Sequence, residues 1–406
     1  MDRRVIAVVA ATTAAQVAGA MGSAVFPVIA PKLAQSLSID PSWIGFQMSL
    51  IYGSAMVGSV LFANLVPRYG GCRTTQIGLS FCVLGLLLGM QGSVAALVLT
   101  SVFIGIGMSI NLPAAGHLLF RFSPPERRNF IFSFKQTGVP FAWALMAVIA
   151  PSITLQWGWR WALGLVLLSA VVTVIAMQSA REQWDDDRLH HTSPRGNLFE
   201  GLGLVWRIPS LRWLGIASFF LAFIQLCVGT FTVIMLVTEG DYSLVQAGLM
   251  LSVAQMAGVF GRLFWGWLAD RVGDCAQVLQ WLTSVMLVCC VVIGFLRPGW
   301  PVWLLAVLFS VIGATAVGWN GLYTAEVAKR SPSGKISIAT GGAMVWNFAG
   351  ILAGPTTFTL VYALTGSYAH TFGCLSVVVL AIFVALSASK RHAETTIRTH
   401  AVDHHG

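Results

Sequence analysis

Two basic residues lie within long apolar stretches of the sequence, where a charge is costly. Lys135 lies in FSFKQTGVPFAW (132–143), and Arg262 lies eight residues before Asp270. A charge within a membrane is a functional candidate, because inserting a charged side chain costs roughly 2.5–3.5 kcal/mol. The central part of the apolar stretches contains no aspartate or glutamate. The pattern therefore predicts that an anion from outside the chain pairs with these cations.

A structural role is the alternative for both cations. Either side chain could extend along its helix to place its charge in cytoplasmic water, and Arg262 could tie its helix to the loop that follows. Lys135, however, is followed by Gln136, Gly138 and Pro140, and glycine and proline open a helix beside the charge. Irregular backbone at membrane depth is expected where a helix lines a cavity. We therefore predict that Lys135, Gln136 and Arg262 bind substrate.

Five further polar residues lie at similar depth in apolar stretches and are candidate substrate ligands: Gln16, His117, Gln225, Asn320 and Asn347. The alternative for each is a hydrogen bond between helices, the commoner role of such side chains. Histidine is the side-chain type that most readily exchanges a proton at physiological pH, so His117 is also a candidate proton carrier. The sequence contains no nucleophile–base set, phosphate-binding loop or metal-ligand cluster, so it predicts no enzyme, no metal site and no cofactor.

Composition places these residues in a membrane protein. The chain has 406 residues, of which 56% are hydrophobic and 10% are charged, whereas a soluble domain carries about 25% charged residues. Its formal net charge of +9 does not indicate nucleic-acid binding, because nearly all charges fall in short loops. The seven cysteines show no paired spacing, so we expect no disulfide framework. The partners expected are the lipid bilayer and a small solute.

Apolar runs separated by polar residues predict an all-α membrane protein with twelve spans in two pseudo-symmetric six-helix bundles. A span needs about 20 apolar residues. The expected spans are about 5–30, 41–65, 75–92, 94–120, 129–153, 159–180, 212–238, 243–269, 276–296, 301–328, 336–364 and 368–389. The first apolar run imitates a secretory signal but continues too far, and is interpreted as a retained span.

The basic residues predict the orientation. Of the 24 lysines and arginines, Lys32, Arg160 and Arg297 lie on one side of the predicted membrane, and Lys135 and Arg262 lie within spans. All the others lie on the opposite side, which is the cytoplasmic side by the positive-inside rule. Both termini are therefore expected in the cytoplasm. The absence of an Asn-x-Ser/Thr acceptor fits a bacterial inner-membrane protein.

A polar, turn-rich stretch, REQWDDDRLHHTSPRGNLFEG (181–201), divides the chain. The predicted organisation is an N-terminal bundle (1–180), a cytoplasmic linker (181–211), a C-terminal bundle (212–390) and a cytoplasmic tail (391–406). The linker and tail contain two histidine pairs that could bind metal, although solvated residues are the favoured interpretation: His190, His191, His404 and His405.

The two halves contain an internal repeat. GSVLFANLVPRYGGC (58–72) aligns without gaps to GRLFWGWLADRVGDC (261–275), matching Arg68 with Arg271 and Gly70 with Gly273. Transporter folds are commonly built from such repeats, with the substrate site near the midplane. Twelve spans, a central linker and the GWLADRVG motif between spans eight and nine resemble the major facilitator superfamily over the whole chain.

That resemblance implies a cytoplasmic gate, in which the motif aspartate receives a helix end and the arginine pairs with nearby acids. The corresponding residues here are Arg68, Gly70, Gly266, Asp270, Arg271 and Gly273, with Glu326 as an acidic partner. The first half has Pro67 in place of the aspartate, which implies a weaker latch there. The other interpretation is a tight turn between two helices with basic residues on the cytoplasmic side.

The resemblance also guides the expected function. The R-x-x-x-G spacing from Arg262 is similar to that of the arginine that holds the carboxylate in the monocarboxylate-transporter branch, although Gly258 replaces that branch's aspartate. FKQTGVP is similar to stretches in bacterial organic-anion or cyanate-type carriers. We therefore expect a monomeric secondary transporter that takes up a small organic anion, a carboxylate, by uniport or proton symport. The alternatives are efflux of a drug or amphiphilic metabolite, and uptake of a neutral vitamin-like solute.

Overall fold

The computed structural model is built from α-helices, which confirms the predicted all-α class. It describes residues 3–62, 65–124, 128–187, 198–332 and 335–403. The first helices are α1 (Arg3–Leu37), a 3-10 helix (Pro41–Trp43), α2 (Ile44–Leu61), α3 (Leu65–Tyr69), α4 (Gly71–Gly89), α5 (Val94–Phe122), α6 (Arg128–Gln136), α7 (Gly138–Trp157), α8 (Trp159–Gln178) and α9 (Arg181–Trp184). The rest are α10 (Leu198–Arg207), α11 (Pro209–Thr238), α12 (Leu244–Val272), α13 (Cys275–Ile293), α14 (Val302–Ala316), α15 (Asn320–Arg330), α16 (Ile336–Thr365) and α17 (Tyr368–Asp403).

The chain forms two compact units. The first comprises Met1–Arg195 and Ser243–Ser252, and the second comprises Gly196–Tyr242 and Val253–Gly406. The linker expected at 181–211 contains the helices α9 and α10, and the tail expected at 391–406 continues α17 as far as Asp403. The histidines at 190, 191, 404 and 405 lie outside the described residues.

Eleven helical stretches among the described residues are long and apolar enough to cross a membrane. The second predicted span coincides with α2, an 18-residue helix that is not among these eleven. The other predicted spans each overlap one of the eleven stretches.

Two of the spans are interrupted. The fifth consists of α6 and α7, which are separated at Thr137, close to the Gly138 and Pro140 that suggested an opening. The tenth consists of α14 and α15, with residues 317–319 in a turn between them. The tenth span was expected at 301–328, where one membrane-crossing stretch lies, and the turn within it was not predicted. Each interruption releases main-chain groups that lipid cannot satisfy.

Each unit has its own apolar core. In the first unit, buried residues of α1, α4, α5 and α6 form one cluster that includes Val8, Leu79, Leu118 and Ile131. In the second unit, Phe231 of α11 stacks on Phe358 of α16 with ring centroids 4.0 Å apart. These contacts place the first span of each half, α1 or α11, in the core of its own unit.

A carboxylate fixes one helix start in the second unit. Glu239 follows α11 and accepts hydrogen bonds from the backbone N–H of Tyr368, the backbone N–H of Ala369 (2.9 Å) and the Ser367 hydroxyl (3.0 Å). The first N–H groups of a helix have no partner within the helix, so an external acceptor stabilises α17. Glu239 therefore caps the start of α17.

Small residues let helices pack at close range. A Cβ atom on Gly105 of α5 would overlap the backbone carbonyl oxygen of Ile51 in α2. On Gly116, farther along the same helix, a Cβ atom would meet no atom of another described element within 4 Å. The two glycines therefore differ in what their small size permits, although both lie in one helix.

We expect Gly105→Ala to destabilise the protein because the added methyl group would force α2 and α5 apart. Overpacking costs about 1–3 kcal/mol, which corresponds to a loss of about 2–10 °C in Tm. Gly116→Ala is the matched control and should leave Tm unchanged or slightly higher, since alanine favours a helix over glycine. Thermal unfolding in detergent measures both variants, and equal Tm values would contradict the close packing of α2 and α5.

Candidate functional site

Lys135 is a buried cation beside the interruption in the fifth span. α6 ends at Gln136, and Thr137 then donates hydrogen bonds to the carbonyl oxygen of Phe134 from its backbone N (3.1 Å) and its hydroxyl (2.6 Å). Lys135 is 4% exposed. Among the side chains that the structure describes, no carboxylate lies within 4.0 Å of its ammonium group. That Lys135 pairs with a substrate anion stays a prediction.

Gln16 joins α1 to the same interruption. Its Nε2 donates to Oε1 of Gln136 at 3.0 Å. The Oε1 of Gln16 and the hydroxyl of Thr13, one turn earlier on α1, are buried and have no hydrogen-bond partner among the described residues. A Cβ atom on Gly138 would lie 3.7–3.8 Å from side-chain carbons of Thr13 and Gln16. The first unit thus brings two predicted ligands, Gln16 and Gln136, into direct contact.

Gln225 joins α11 to the interruption in the tenth span. Its Oε1 accepts hydrogen bonds from Trp319 Nε1 at 3.0 Å and from Asn320 Nδ2 at 3.2 Å. Trp319 is fully buried, and its ring packs edge-on against Tyr323 with centroids 5.5 Å apart. The indole therefore holds the Gln225 amide from a rigid position in the core of the second unit.

Arg262 is tied to the same turn. Its Nε donates to the carbonyl oxygen of Val317 at 3.1 Å, and Nε1 of Trp265 donates to the carbonyl oxygen of Ala314 at 3.0 Å. Both acceptors lie where the helix of the tenth span stops, so α12 supplies side-chain donors to the main chain there. A Cβ atom on Gly258 would overlap Val317, and the glycine therefore permits this close approach. Gly258 stands where the resembling branch has an aspartate.

Three predicted ligands of the second unit meet at one turn, and a fourth, Asn347, makes no hydrogen bond to them among the described residues. Arg262, Gln225 and Asn320 meet around residues 317–320. Asn347 is 8% exposed in α16 and has no hydrogen bond among the described residues. The neighbouring Trp346 stacks on Trp206 of α10 with centroids 5.6 Å apart. Trp346 of α16 is therefore in contact with the linker helix α10.

His117 lies in a charged network at the end of α5. Its Nε2 lies 2.9 Å from Oδ2 of Asp187, and its side chain is 38% exposed. Arg121, one turn later, forms ion pairs with Asp186 and, at 3.0 Å, with Asp187. The Arg121 guanidinium lowers the pKa of the exposed Asp186 carboxyl. These aspartates lie in the stretch predicted as the linker. Their run of three acids was the one sequence feature that could have indicated a partner for basic residues.

Asp185 continues this network to the start of α4. Its carboxylate accepts hydrogen bonds from the backbone N–H of Cys72 at 2.7 Å and of Arg73 at 2.8 Å. Gly70 has a positive φ of 84°, and a Cβ atom there would overlap the Asp185 carboxyl group. Burial raises the pKa of Asp185, and the two N–H donors oppose that shift. The positive φ and the contact with Asp185 therefore both require a glycine at position 70.

In the second unit, the corresponding helix α13 is capped by the residue directly before it in the chain. Asp274, which aligns with Gly71, accepts from the Gln277 backbone N–H at 3.1 Å and pairs with Lys390 of α17 at 2.9 Å. Burial raises the pKa of Asp274, but Lys390 and the Gln277 N–H lower it by more. The carboxylate thus stabilises the fold at neutral pH, and that stabilisation is lost as pH falls through the lowered pKa. Gly273 has a φ of 74°, as its alignment with Gly70 requires.

The residues of the predicted gate lie at the ends of several helices. Asp270 and Arg271 are exposed at the end of α12, with the Arg271 guanidinium 4.5 Å from the Trp267 ring centroid. Glu326 is 3% exposed and pairs with Arg330, four residues later in α15, at 2.5 Å. Arg68 is exposed beside Tyr69, and a Cβ atom on Gly266 would meet no described atom outside its own helix within 4 Å.

Sequence comparison identifies the family. The family model described as Major Facilitator Superfamily matches residues 12–355. The chain belongs to the major facilitator superfamily. A TM-score of 0.78 relates this superfamily member to the nucleoside transporter NupG at 11% identity, covering 95% of this chain and 100% of that one. The peptide transporter POT in complex with sulfate gives 0.77 at 14% identity, covering 97% and 95%. These two likenesses concern the fold.

Curated relatives of this superfamily member include carriers of anions. A probable hexose phosphate transport protein of Chlamydia pneumoniae is 24% identical, with 90% of this chain and 87% of the relative covered. A probable nitrate/nitrite transporter, NarK2, of Mycobacterium tuberculosis is 25% identical, with 76% and 78% covered. The sugar transport protein MST7 of Oryza sativa is 32% identical over shorter regions, 31% and 26%. Together with the family match, they identify the chain as a transporter.

We expect Asp185→Ala to destabilise the first unit because two N–H groups at the start of α4 would lose their acceptor. The cost should be about 1–3 kcal/mol, read as a lower Tm and as faster hydrogen exchange at the amides of Cys72 and Arg73. Glu182→Ala is the matched control, since Glu182 is an exposed acid in the same segment. Equal exchange rates in the two variants would contradict the cap.

Proposed function

We propose that this superfamily member is a secondary transporter that moves a small organic anion, a carboxylate, across the bacterial inner membrane. It works by alternating access as a monomer, in the direction of uptake, by uniport or proton symport. Both termini lie in the cytoplasm, in accordance with the distribution of basic loop residues. Residues 1–180 and 212–390 are the two bundles, 181–211 is the cytoplasmic linker, and 391–406 is the tail.

The burial of Lys135 without a described carboxylate partner is the observation that carries the proposal. A buried ammonium group is stabilised by an opposite charge and destabilised when left without one. Extension of the side chain into cytoplasmic water would leave its end exposed, whereas Lys135 is 4% exposed. A substrate anion supplies the missing charge during transport. The adjacent Gln136 and Gln16 add polar groups around the helix interruption.

The second unit offers donors around a second interruption. Arg262 brings a guanidinium group to the turn at residues 317–319, and Gln225 and Asn320 add amides. Guanidinium groups bind carboxylates and phosphates through paired hydrogen bonds. His117 and Asn347 are retained as lesser candidate ligands. The proposed cytoplasmic gate consists of Arg68, Gly70, Gly266, Asp270, Arg271, Gly273 and Glu326.

Two of the relatives support an anionic solute. Hexose phosphate, nitrate and nitrite are all anions, and the proteins named for them align with most of this chain. The sugar transport protein MST7 favours the second candidate function, uptake of a neutral solute, although it aligns with a smaller part. The two functions differ in whether a fixed positive charge is required for transport.

We expect Lys135→Met to lower anion uptake by about 10- to 100-fold, which corresponds to the loss of one hydrogen-bonded charge. Lys135→Arg keeps the charge and should retain part of the activity. Uptake of labelled glucose 6-phosphate, nitrate, lactate and uncharged glucose into proteoliposomes measures these variants. Lys32→Met is the matched control, because Lys32 is an exposed lysine near the C-terminal end of α1.

Two results would contradict the proposal. One is that wild-type protein accumulates glucose and none of the three anions. The other is that Lys135→Met takes up an anion as fast as the wild type and Lys32→Met at equal reconstituted amounts. Efflux would be indicated instead if deletion of the protein sensitised cells to a compound and Lys135→Met restored resistance.

A further inference from the structure

The middle of α11 is buried on all sides except at one residue. Of residues 221–236, all of which the structure describes, Gln225 alone is not buried. Its neighbours on the helix are apolar or small, such as Leu221, Cys227 and Gly229. An amide is an expensive group to place in the middle of an apolar span unless both of its ends have partners. The part of the Gln225 amide that remains accessible is therefore expected to have a partner.

Trp319 determines which end of the amide is accessible. An indole N–H can only donate a hydrogen bond, so the Gln225 atom it contacts at 3.0 Å must be the oxygen. Asn320 Nδ2 donates to the same oxygen at 3.2 Å. These contacts remove the ambiguity that normally attends a glutamine side chain. The orientation of the amide is thus fixed by its protein partners.

The fixed orientation directs the Gln225 NH₂ group away from both partners. No described residue accepts a hydrogen bond from Gln225 Nε2, although its Oε1 accepts two. Arg262 is linked to the same turn through the carbonyl oxygen of Val317, to which Asn320 Nδ2 also lies within 3.5 Å. Two hydrogen-bond donors therefore meet at the turn of residues 317–320. One is the Arg262 guanidinium, which can only donate, and the other is the NH₂ group of the Gln225 amide.

We propose that the Gln225 NH₂ group donates a hydrogen bond to an oxygen acceptor of the transported solute, and that Trp319 is a positioning residue that keeps this donor outward. The inference rests on the proposed function, because it assigns Gln225 to the substrate site of the transporter. It specifies that the solute presents an acceptor oxygen, such as that of a carboxylate, phosphate or nitrate group, to α11. A fixed donor also disfavours solutes that present only N–H groups there.

Gln225→Glu separates this role from a structural one. A carboxylate has the same shape as the amide and can still accept from Trp319 and Asn320, so the fold should keep its Tm within about 2 °C. The outward group, however, changes from a donor to a charged acceptor. We expect uptake of an anion at pH 7.5 to fall by at least about 100-fold, since like charges in contact strongly oppose binding.

Acid should partly restore this variant. Protonation of the new carboxyl group places an O–H on the outward oxygen, because the inward oxygen accepts two hydrogen bonds. The ratio of Gln225→Glu uptake to wild-type uptake should therefore rise as pH is lowered from 7.5 to 5. A merely structural role for Gln225 predicts no such rise in the ratio.

Trp319→Phe tests the positioning role. Phenylalanine keeps an aromatic ring beside Tyr323 but removes the N–H, so only the Asn320 amide still holds the Gln225 oxygen and the orientation of the Gln225 amide is weakened. We expect KM to rise about 3- to 10-fold with little change in kcat, as for the loss of one neutral hydrogen bond. An unchanged KM would remove Trp319 from the proposal.

Gln246→Glu is the matched control for the isosteric change. Gln246 is exposed near the start of α12, and its Oε1 also accepts two hydrogen bonds, from the Ser243 backbone N (3.1 Å) and hydroxyl (3.0 Å). This variant should transport as the wild type does at both pH values. The proposal is overturned if Gln225→Glu matches Gln246→Glu in uptake.

The probes are labelled glucose 6-phosphate, nitrate, lactate and glucose in proteoliposomes, and the variants are compared on whichever the wild type accumulates. Accumulation of glucose alone would overturn the anionic function but not this inference, since glucose hydroxyl oxygens also accept hydrogen bonds. In that case, a normal KM for glucose in Gln225→Leu, whose side chain neither donates nor accepts a hydrogen bond, would overturn the inference as well. Failure of the two proposals is therefore distinguishable.

Discussion

Main-chain groups cannot be left without hydrogen bonds in lipid, and this constraint explains how the two interrupted spans are built. Each interruption is contacted by a glutamine from the first span of its own half: Gln16 reaches Gln136, and Gln225 reaches Trp319 and Asn320. In the second half, Arg262 also donates to a carbonyl oxygen released by the turn. At the second interruption, Arg262 and Trp265 therefore satisfy main-chain acceptors, whereas the two glutamines contact side chains that flank each interruption.

The internal repeat shows that the two halves solve one packing problem with different residues. Gly70 and Gly273 are equivalent and both have positive φ values. The next position differs, since Asp274 caps its own helix whereas Gly71 has no side chain to do so. The first half recruits Asp185, 113 residues away, and reaches the same result. Because that cap comes from the segment after α8, the acidic run is also part of the first unit's fold.

The sequence predicted the features that depend on local composition. Apolar runs give the helices and the class, and Gly138 with Pro140 marks the first interruption. It did not predict the interruption at residues 317–319, because Gly318 in an apolar run is equally compatible with helix packing. Nor did it predict the Asp185 cap or the pairing of His117 with Asp187, since contacts between residues distant in the chain leave no local pattern. The resemblance implied that Glu326 is an acidic partner in the gate. In the structure its carboxylate pairs with Arg330, four residues later on the same helix.

The two units organise polar groups of different character. In the first, Lys135 contributes a full charge from a short helix that ends one residue later, so its position depends on how that end is held. In the second, the indole of Trp319 fixes an amide dipole and needs no charge to do so. Groups fixed in advance need little rearrangement when a ligand arrives, which favours binding. On the proposed function, selectivity for the sign of the solute charge would come from Lys135 and Arg262, whereas Gln225 would select which atom of the solute faces α11.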